Sequence, residues 1–554
     1  MSLQPQPWPE VPLATAKVAR KAFRKGTPAM RIRDELGPLF TDEEFAVAFA
    51  ARGRPGLSPG QLALVSVLQF AENLSDRQAA LQVTARIDWK YALGLELDDE
   101  GFDHSVLSGF RARLVEHGLE EKVLDLLLAR LSELGLLRAG GRARTDSTHV
   151  LAAVRSLNRL EFVGETMRAA LEALAVAAPG WLTGVVEPGW DRRYQARVES
   201  YRLPASAAGR AELAVTIGRD GFALLTALGA ADAPVWLREV PAVDVLRITW
   251  IQQYHRTVGD GGTEVAWRED SDLPPGRLRL ASPYDLAARY GVKRGSGWLG
   301  YKVHLTETCD DGTPNLITNV ETTDATVTDQ ETTPVVHGHL AGRGLLPAEH
   351  AVDTGYTSTE LFLTSAAEHG VELVGPLRVN TSWQARTPDA FDLSDFAIDW
   401  NHQQVTCPNG AVSSSWRTEK ARGKPVLKVD FRKVDCTPCP VRARCTSSAT
   451  YARKLTLRRR EQHELLERLR VEQATDAWKK RYDRRAGVEG TIHQATAATG
   501  LRHARYHGLD KNHLAHVFAA TALNAVRLDA WWTDTPTGRT RTTHFSTLVS
   551  TAAA

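Results

Sequence analysis

Residues 298–324 read WLGYKVHLTETCDDGTPNLITNVETTD, and the period of this stretch decides the fold class. From Trp298 onward, Leu299, Tyr301, Val303 and Leu305 fall on one side of an extended chain, and Gly300, Lys302, His304 and Thr306 on the other. The run CDDGTPN carries turn chemistry, because aspartate, glycine and proline favour tight reversals, and LITNVETT then alternates again. A β-hairpin is predicted.

Short strands flank it on both sides in sequence. RARTDSTHV (142–150) reads as a strand with Asp146 at its centre, and EHAVDTGYTS (349–358) as a short strand ending in a turn with Asp353 at its tip. A helix is expected from Ser358 to its stop at Gly370, and VELVGPL (371–377) is a further strand. Farther out the chain turns helical. SPGQLALVSVLQFAENL opens on a Ser58 cap with proline following, and its Leu62, Leu64, Val65 and Leu68 share one broad apolar stripe. SDRQAALQVTA follows with Ser75 as its cap, so the pair is helix-turn-helix-like, with Arg77 and Gln78 at the start of a possible reading helix. Residues 120–138 form a leucine-rich helix. Late in the chain come a long polar helix over about 461–483, a helix through Glu489 stopped by Gly500, and KNHLAHVFAATALNAVRL. That last helix carries Leu514, Val517, Phe518, Thr521, Ala525 and Leu528 at core spacing.

The expected organisation is an α/β core interrupted by two insertions. An N-terminal helical domain spans 1–137, and the first core piece spans 138–154. A helical insertion covers 155–294, a second core piece 295–375, a basic cysteine-rich insertion 376–460, core helices 461–530 and a flexible tail 531–554.

Bulk properties are those of an ordinary globular chain: 554 residues, 43% hydrophobic, 24% charged and a net charge of +2. Charge is uneven, with 14 Lys/Arg against 3 Asp/Glu between Trp416 and Arg460, a balance that attracts phosphate. The opening MSLQPQPWPEVPLATAK lacks the pattern of a signal peptide, and no apolar run of about 18 residues suits a membrane span. Five cysteines in so long a chain do not make a disulfide framework, so a cytoplasmic protein is expected.

The residues that carry chemistry are acidic. In RYDRRAGVEGTIHQ (481–494), Glu489 stands between Gly487 and Gly490, four residues after Arg485. An Arg485–Glu489 pair in that order is worth only about 0.2–0.5 kcal/mol, whereas each glycine costs a helix roughly 1 kcal/mol relative to alanine. Close approach of a backbone, a sheet or DNA would account for that cost. Phosphoryl transfer on DNA requires neutralisation of the attacking and departing oxygens, and two divalent ions held by a few carboxylates supply it. Asp146, Asp353 and Glu489 have the right types on separate elements; Asp310, Asp311, Asp324 and Asp329 compete, and spacing alone does not choose among them.

Four ordered segments, RTDSTHV, the hairpin through TTDATVTD, AVDTGYTS and RYDRRAGVEGTIHQ, together resemble the DDE transposases of bacterial insertion sequences, the eleven-eighty-two family in particular. The resemblance runs from about Ser58 to Leu528 and implies an RNase H-like core. Matched segment by segment, it implies a catalytic triad of Asp146, Asp353 and Glu489 holding two Mg²⁺ or Mn²⁺ ions. The family's Y-x2-R-x3-E-x6-K signature falls on Tyr482, Arg485 and Glu489, but Thr496 stands at the lysine position. That departure leaves the lysine's part to Arg502 or Arg505 and puts a hairpin intermediate in doubt. DNA contacts are therefore expected from Tyr482, Arg485, Arg502 and Arg505, as are cleavage at terminal inverted repeats, strand transfer into target DNA and at least a homodimer on DNA. The rival readings are a nuclease of the same fold without strand transfer and a non-catalytic DNA-binding derivative.

Cys407, Cys436, Cys439 and Cys445 give C-x28-C-x2-C-x5-C, a spacing suited to a structural zinc site, with His402 able to replace one ligand. A polar insert with few apolar residues needs such a staple. Cys309 lies alone in the hairpin turn as a bystander, and His493 falls one turn after Glu489.

Overall fold

The computed structural model describes residues 2–535 apart from 260, 261, 294, 379 and 422. The fold is mixed α/β and divides into two compact units. The first contains Met1–Arg138, Asp146–Val327 and Val488–Ala554, and the second Ala139–Thr145 and Thr328–Gly487. Most of the expected tail lies in 536–554, outside the described residues; its start is the end of helix Leu509–Trp532. Among the described residues no helix is long and apolar enough to cross a membrane.

In the first unit the two expected N-terminal helices form as Pro59–Ala71 and Asp76–Ala85. The Ser58 hydroxyl accepts from the Gln61 N–H, and Ser75 and Gln78 satisfy one another's backbone as a capping box. The leucine-rich helix is Lys122–Glu133. These elements gather around the long helix Leu509–Trp532. Phe70 stacks on Phe518 with centroids 5.6 Å apart, Arg31 pairs with Asp529, and Glu121 with His513 at 2.6 Å.

Strand β1 is Arg142–Leu151, β2 Arg289–Lys293, β3 Ser296–Thr308 and β4 Ile317–Asp324. β3 pairs antiparallel with β2 and with β4, where Leu305 faces Val320. The residue after β1, Ala152, donates its N–H to the Leu299 carbonyl at 2.9 Å. Gly300 is required there: at φ +148° its missing Cβ would lie 2.1 Å from the Val150 carbonyl oxygen. The hairpin formed as expected, but its alternation did not mean one wet face. His304, Thr306 and Glu307 are buried along with Val303 and Leu305. The hairpin is covered by helix Leu509–Trp532, whose Asn524 exchanges two 2.8 Å hydrogen bonds with the Ile317 backbone and whose His516 bonds Thr322.

The region 155–294 is not wholly helical. Helices Arg159–Ala177, Ala207–Gly229 and Pro241–Gln253 enclose a core around Trp190, Trp250 and Tyr254, and an antiparallel hairpin, Tyr254–Gly259 with Gly262–Trp267, follows them. β-branched Thr257, Val258, Thr263 and Val265, on either side of a glycine-rich run in the sequence, were the overlooked signal.

In the second unit the opening residues of β1 pair in parallel with β5 (Glu349–Val352), from Arg142 with Glu349 to Thr145 with Val352. β5 pairs in parallel with β6 (Glu372–Val374), through helix Thr359–His369, which Ser358 caps and Gly370 stops at φ +65°. The expected long polar helix is two, Arg460–Gln473 and Asp476–Asp483, because Thr475 interrupts it and caps the second by accepting from the Trp478 N–H. The cysteine-rich insertion has its own antiparallel sheet, β7 (Ser415–Ala421), β8 (Lys424–Asp430) and β9 (Lys454–Leu457), over a small core of Phe396, Val405, Val429, Phe431, Leu455 and Leu457.

Candidate active site

Asp146 and Glu489 belong to the first unit and Asp353 to the second. Asp146 is half-buried at the middle of β1, with its Oδ1 accepting from the Ser147 N–H at 2.8 Å. The chain that follows Gly500 lies along the end of this strand. Leu151 donates to the Arg502 carbonyl, and Ala504 donates to the Leu151 carbonyl, both at 2.8 Å. That contact sets the Arg502 Nε 2.9 Å from the Thr148 hydroxyl. His149 lies beside the Trp298 ring, and burial, followed by the nearby cations of Arg502 and Lys293, holds it below the ordinary histidine range.

Glu489 stands on helix Gly487–Thr499, whose Val488, Thr491, Ile492 and Ala495 are buried while Glu489, Gly490 and His493 are exposed. Residues 489 and 493 are about 40° apart around a helix and 491 about 200° from 489, so the carboxylate and His493 share the open face. Arg505, expected to meet DNA, has internal partners: its guanidinium lies 4.5 Å above the Phe70 ring and donates to the Leu74 carbonyl and to Asn73. Burial lowers its pKa.

In the second unit Asp353 ends β5 and turns the chain, its Oδ1 accepting from the Gly355 N–H at 2.7 Å. A Cβ on Gly355 would sit 2.8 Å from Asp353 Oδ1 and 2.9 Å from Asp329 Oδ2, so the glycine lets two carboxylates close on one point. Asp329, one of the competing acids in the sequence, is thus a neighbour of Asp353 from the first turn of helix Asp329–Gly342. Behind β5 runs a buried polar column: Thr145 Oγ1 hydrogen-bonds His350 Nε2 at 2.7 Å, and His350 Nδ1 bonds His337 Nε2 at 2.9 Å. Burial pushes His337 down to about 4 and holds His350 well below the ordinary histidine range, so both rings are neutral near pH 7.

Tyr482 stacks on Trp478 with centroids 5.0 Å apart and accepts a hydrogen bond from Arg485 Nε at 3.2 Å. The reason for Gly487 is also in this unit. A Cβ there would fall 2.0 Å from Arg144 Nη1, which donates to the Arg484 carbonyl at 2.7 Å. Nothing lies within 4 Å of a Cβ placed on Gly490.

Cys407, Cys436, Cys439 and Cys445 all lie in the second unit and share a neighbourhood. Burial raises the Cys445 thiol, Arg453 lowers it, and the three other cysteines raise it again. The Ala411 N–H donates to Cys407 Sγ at 3.3 Å. Among the described residues, no group of three or more His, Cys, Asp or Glu is arranged as it stands to hold a metal ion. The donor chemistry nevertheless suits one: hard carboxylate oxygens for magnesium, soft thiols for zinc.

Residues 17–113 match the family described as Transposase domain (DUF772), and residues 406–529 match that described as Transposase DDE domain. The second match includes Glu489 and all four clustered cysteines; Asp146 and Asp353 lie outside both. No curated protein and no solved structure matches the chain. Two transposase matches, in this order along one chain, identify it as a DDE transposase of the bacterial insertion-sequence type.

Proposed function

We propose that this transposase, of the eleven-eighty-two type, cleaves DNA at the terminal inverted repeats of its element and transfers the freed 3′ end to target DNA. The observation that carries the reading is the exposed Glu489, on a helix whose opposite face is fully packed, within the stretch matching a DDE domain. An RNase H-like core is supported by the strands around β1, an antiparallel hairpin in one unit and parallel partners in the other.

Asp146, Asp353 and Glu489 would hold two magnesium or manganese ions, which activate the attacking oxygen and neutralise the leaving one. The protein's own groups do the rest. Arg502, fixed by Thr148 beside Asp146, holds the scissile strand by a phosphate, and Tyr482 and Arg485 act as a hydrogen-bonded pair on the same backbone. Arg505 contributes chiefly by fixing the chain after Gly500 against the N-terminal helices, and DNA contact by it would require release from those partners. Sequence recognition of the ends belongs to the helices around Asp76–Ala85, and cutting two ends together requires at least a dimer. A structural zinc ion on the four cysteines would brace the small core of the insertion. Metal analysis of the purified protein should find about one zinc per chain, lost in Cys436→Ser/Cys439→Ser. The cytoplasm is where such DNA would be met.

The test is cleavage of DNA carrying the segments that flank this reading frame, in Mg²⁺ or Mn²⁺. Glu489→Gln should bind the ends as wild type does and lose cleavage by roughly 1000-fold or more. Equal cutting by both proteins would remove Glu489 from the site. Cleavage without joining would favour a nuclease, and tight metal-independent binding without cleavage the DNA-binding derivative.

A further inference from the structure

We propose that Glu307, Arg527 and Thr491 form a clamp that sets the rotation of the Glu489 helix; the inference rests on reading Glu489 as a metal-binding carboxylate. All three residues belong to one compact unit, as does Glu489. The Thr491 hydroxyl donates to Glu307 Oε2 at 2.6 Å, and Arg527 Nη1 donates to the same oxygen at 2.7 Å. Arg527 Nη2 donates to the Thr491 oxygen at 2.6 Å, and its Nε to Gln494 Oε1 at 3.1 Å. Three of these bonds grip two successive turns of the helix from the side opposite Glu489, and the Arg527–Glu307 bond locks the two gripping groups together.

The clamp has the properties of a positioning device. The Glu307 side chain is wholly buried and that of Arg527 14% exposed. A buried ion pair adds little net stability over a packed apolar pair, because both charges must be desolvated. It does impose direction. The planar guanidinium fork admits one geometry, and the Thr491 hydroxyl must donate to one partner while accepting from the other. A helix held only by Val488, Ile492 and Ala495 could roll by a fraction of a turn at small cost. Thr491 and Gln494, bonded to groups on β3 and on helix Leu509–Trp532, remove that freedom. Glu307, Thr491 and Arg527 are positioning residues acting through Glu489.

The full-length protein would be compared as wild type, Thr491→Val, Thr491→Ser, Arg527→Lys and Glu489→Gln. Three quantities are read: Mn²⁺ binding by the complex with flanking DNA, followed by electron paramagnetic resonance; hydrogen exchange over 488–499; and end cleavage. Thr491→Val, which keeps the volume and removes the hydroxyl, should weaken Mn²⁺ binding and slow cleavage by about 10-fold, with end binding within about 2-fold of wild type. Exchange should quicken in 488–499 and not elsewhere. Arg527→Lys should share this profile, and Thr491→Ser should recover wild-type metal binding. Wild-type Mn²⁺ binding in Thr491→Val, or a defect that serine does not rescue, would overturn the clamp. Wild-type Mn²⁺ binding and cleavage by Glu489→Gln would instead overturn the reading of Glu489 itself, whatever the clamp variants do.

Discussion

Glu307 and Glu489 are two glutamates of one compact unit with opposite surroundings. Glu307 lies on a strand buried on both faces, its charge met by Arg527 and its oxygen shared with Thr491. Glu489 projects from the open face of its helix between an exposed glycine and an exposed histidine one turn on. Acidity does not separate them; burial does. Glu307 has internal partners that account for its burial, and moving it would strand a charge. The face of the helix that carries Glu489 is exposed, so solvent and bound DNA can reach the carboxylate.

Several substitutions would break or sharpen this contrast. Glu307→Gln should be the most damaging to stability, about 3 kcal/mol or more, because Arg527 would be left buried without its counter-charge. A urea midpoint unchanged from wild type would mean that the buried pair is dispensable. Gly487→Ala comes next. It would drive Arg144 from its bond to the Arg484 carbonyl and should cost about 1–3 kcal/mol, read from the same curves.

Acid gives a third test. Burial holds His304 and His516 down to about 3, against 6.5 for an ordinary histidine. Above about 6.5 both are neutral whether the chain is folded or not. As the pH falls through the window between about 6.5 and about 3, the unfolded chain takes up protons that the folded one refuses. Stability should therefore drain by roughly 1.4 kcal/mol per pH unit for each histidine and level off below that window. Urea midpoints at pH 7, 5.5 and 4.5 would show the slope, and His516→Asn should flatten it. The smallest effect is expected at Gly490, where alanine meets no neighbour and should raise stability by up to about 1 kcal/mol. If cleavage falls while stability rises, the missing side chain makes room for the DNA; if both rise, Gly490 is an accident of the open face.

Local chemistry was legible in the sequence wherever a residue's partner lay within a few positions. Ser58 and Ser75 capped as read, the helix expected from Ser358 formed and stopped at Gly370, and the hairpin from Trp298 formed at its turn. What escaped depended on distant partners. Alternation along Leu299–Thr306 indicated two faces but not that both would be covered, since a helix some 200 residues later covers the hairpin. Gly487 implied a close approach without revealing that an arginine side chain makes it. Asp329 read as one acid among several because its nearness to Asp353 is created by the packing at Gly355. The break at Thr475 is the exception among local features: its partner, Trp478, is three positions on, but a threonine cap inside a polar run resembles the run itself.

The parallel pairing of β1 with β5 has a consequence for synthesis. Arg142 must wait for Glu349, so about 200 residues are made before the first strand finds its parallel partner. At 5–20 residues per second that interval is roughly 10–40 s. During it, the strand that carries Asp146 has an open edge able to pair with any other nascent chain. A protein expressed from many copies of its own element would meet that hazard on every polysome, and slow or crowded translation should yield aggregate before it yields transposase.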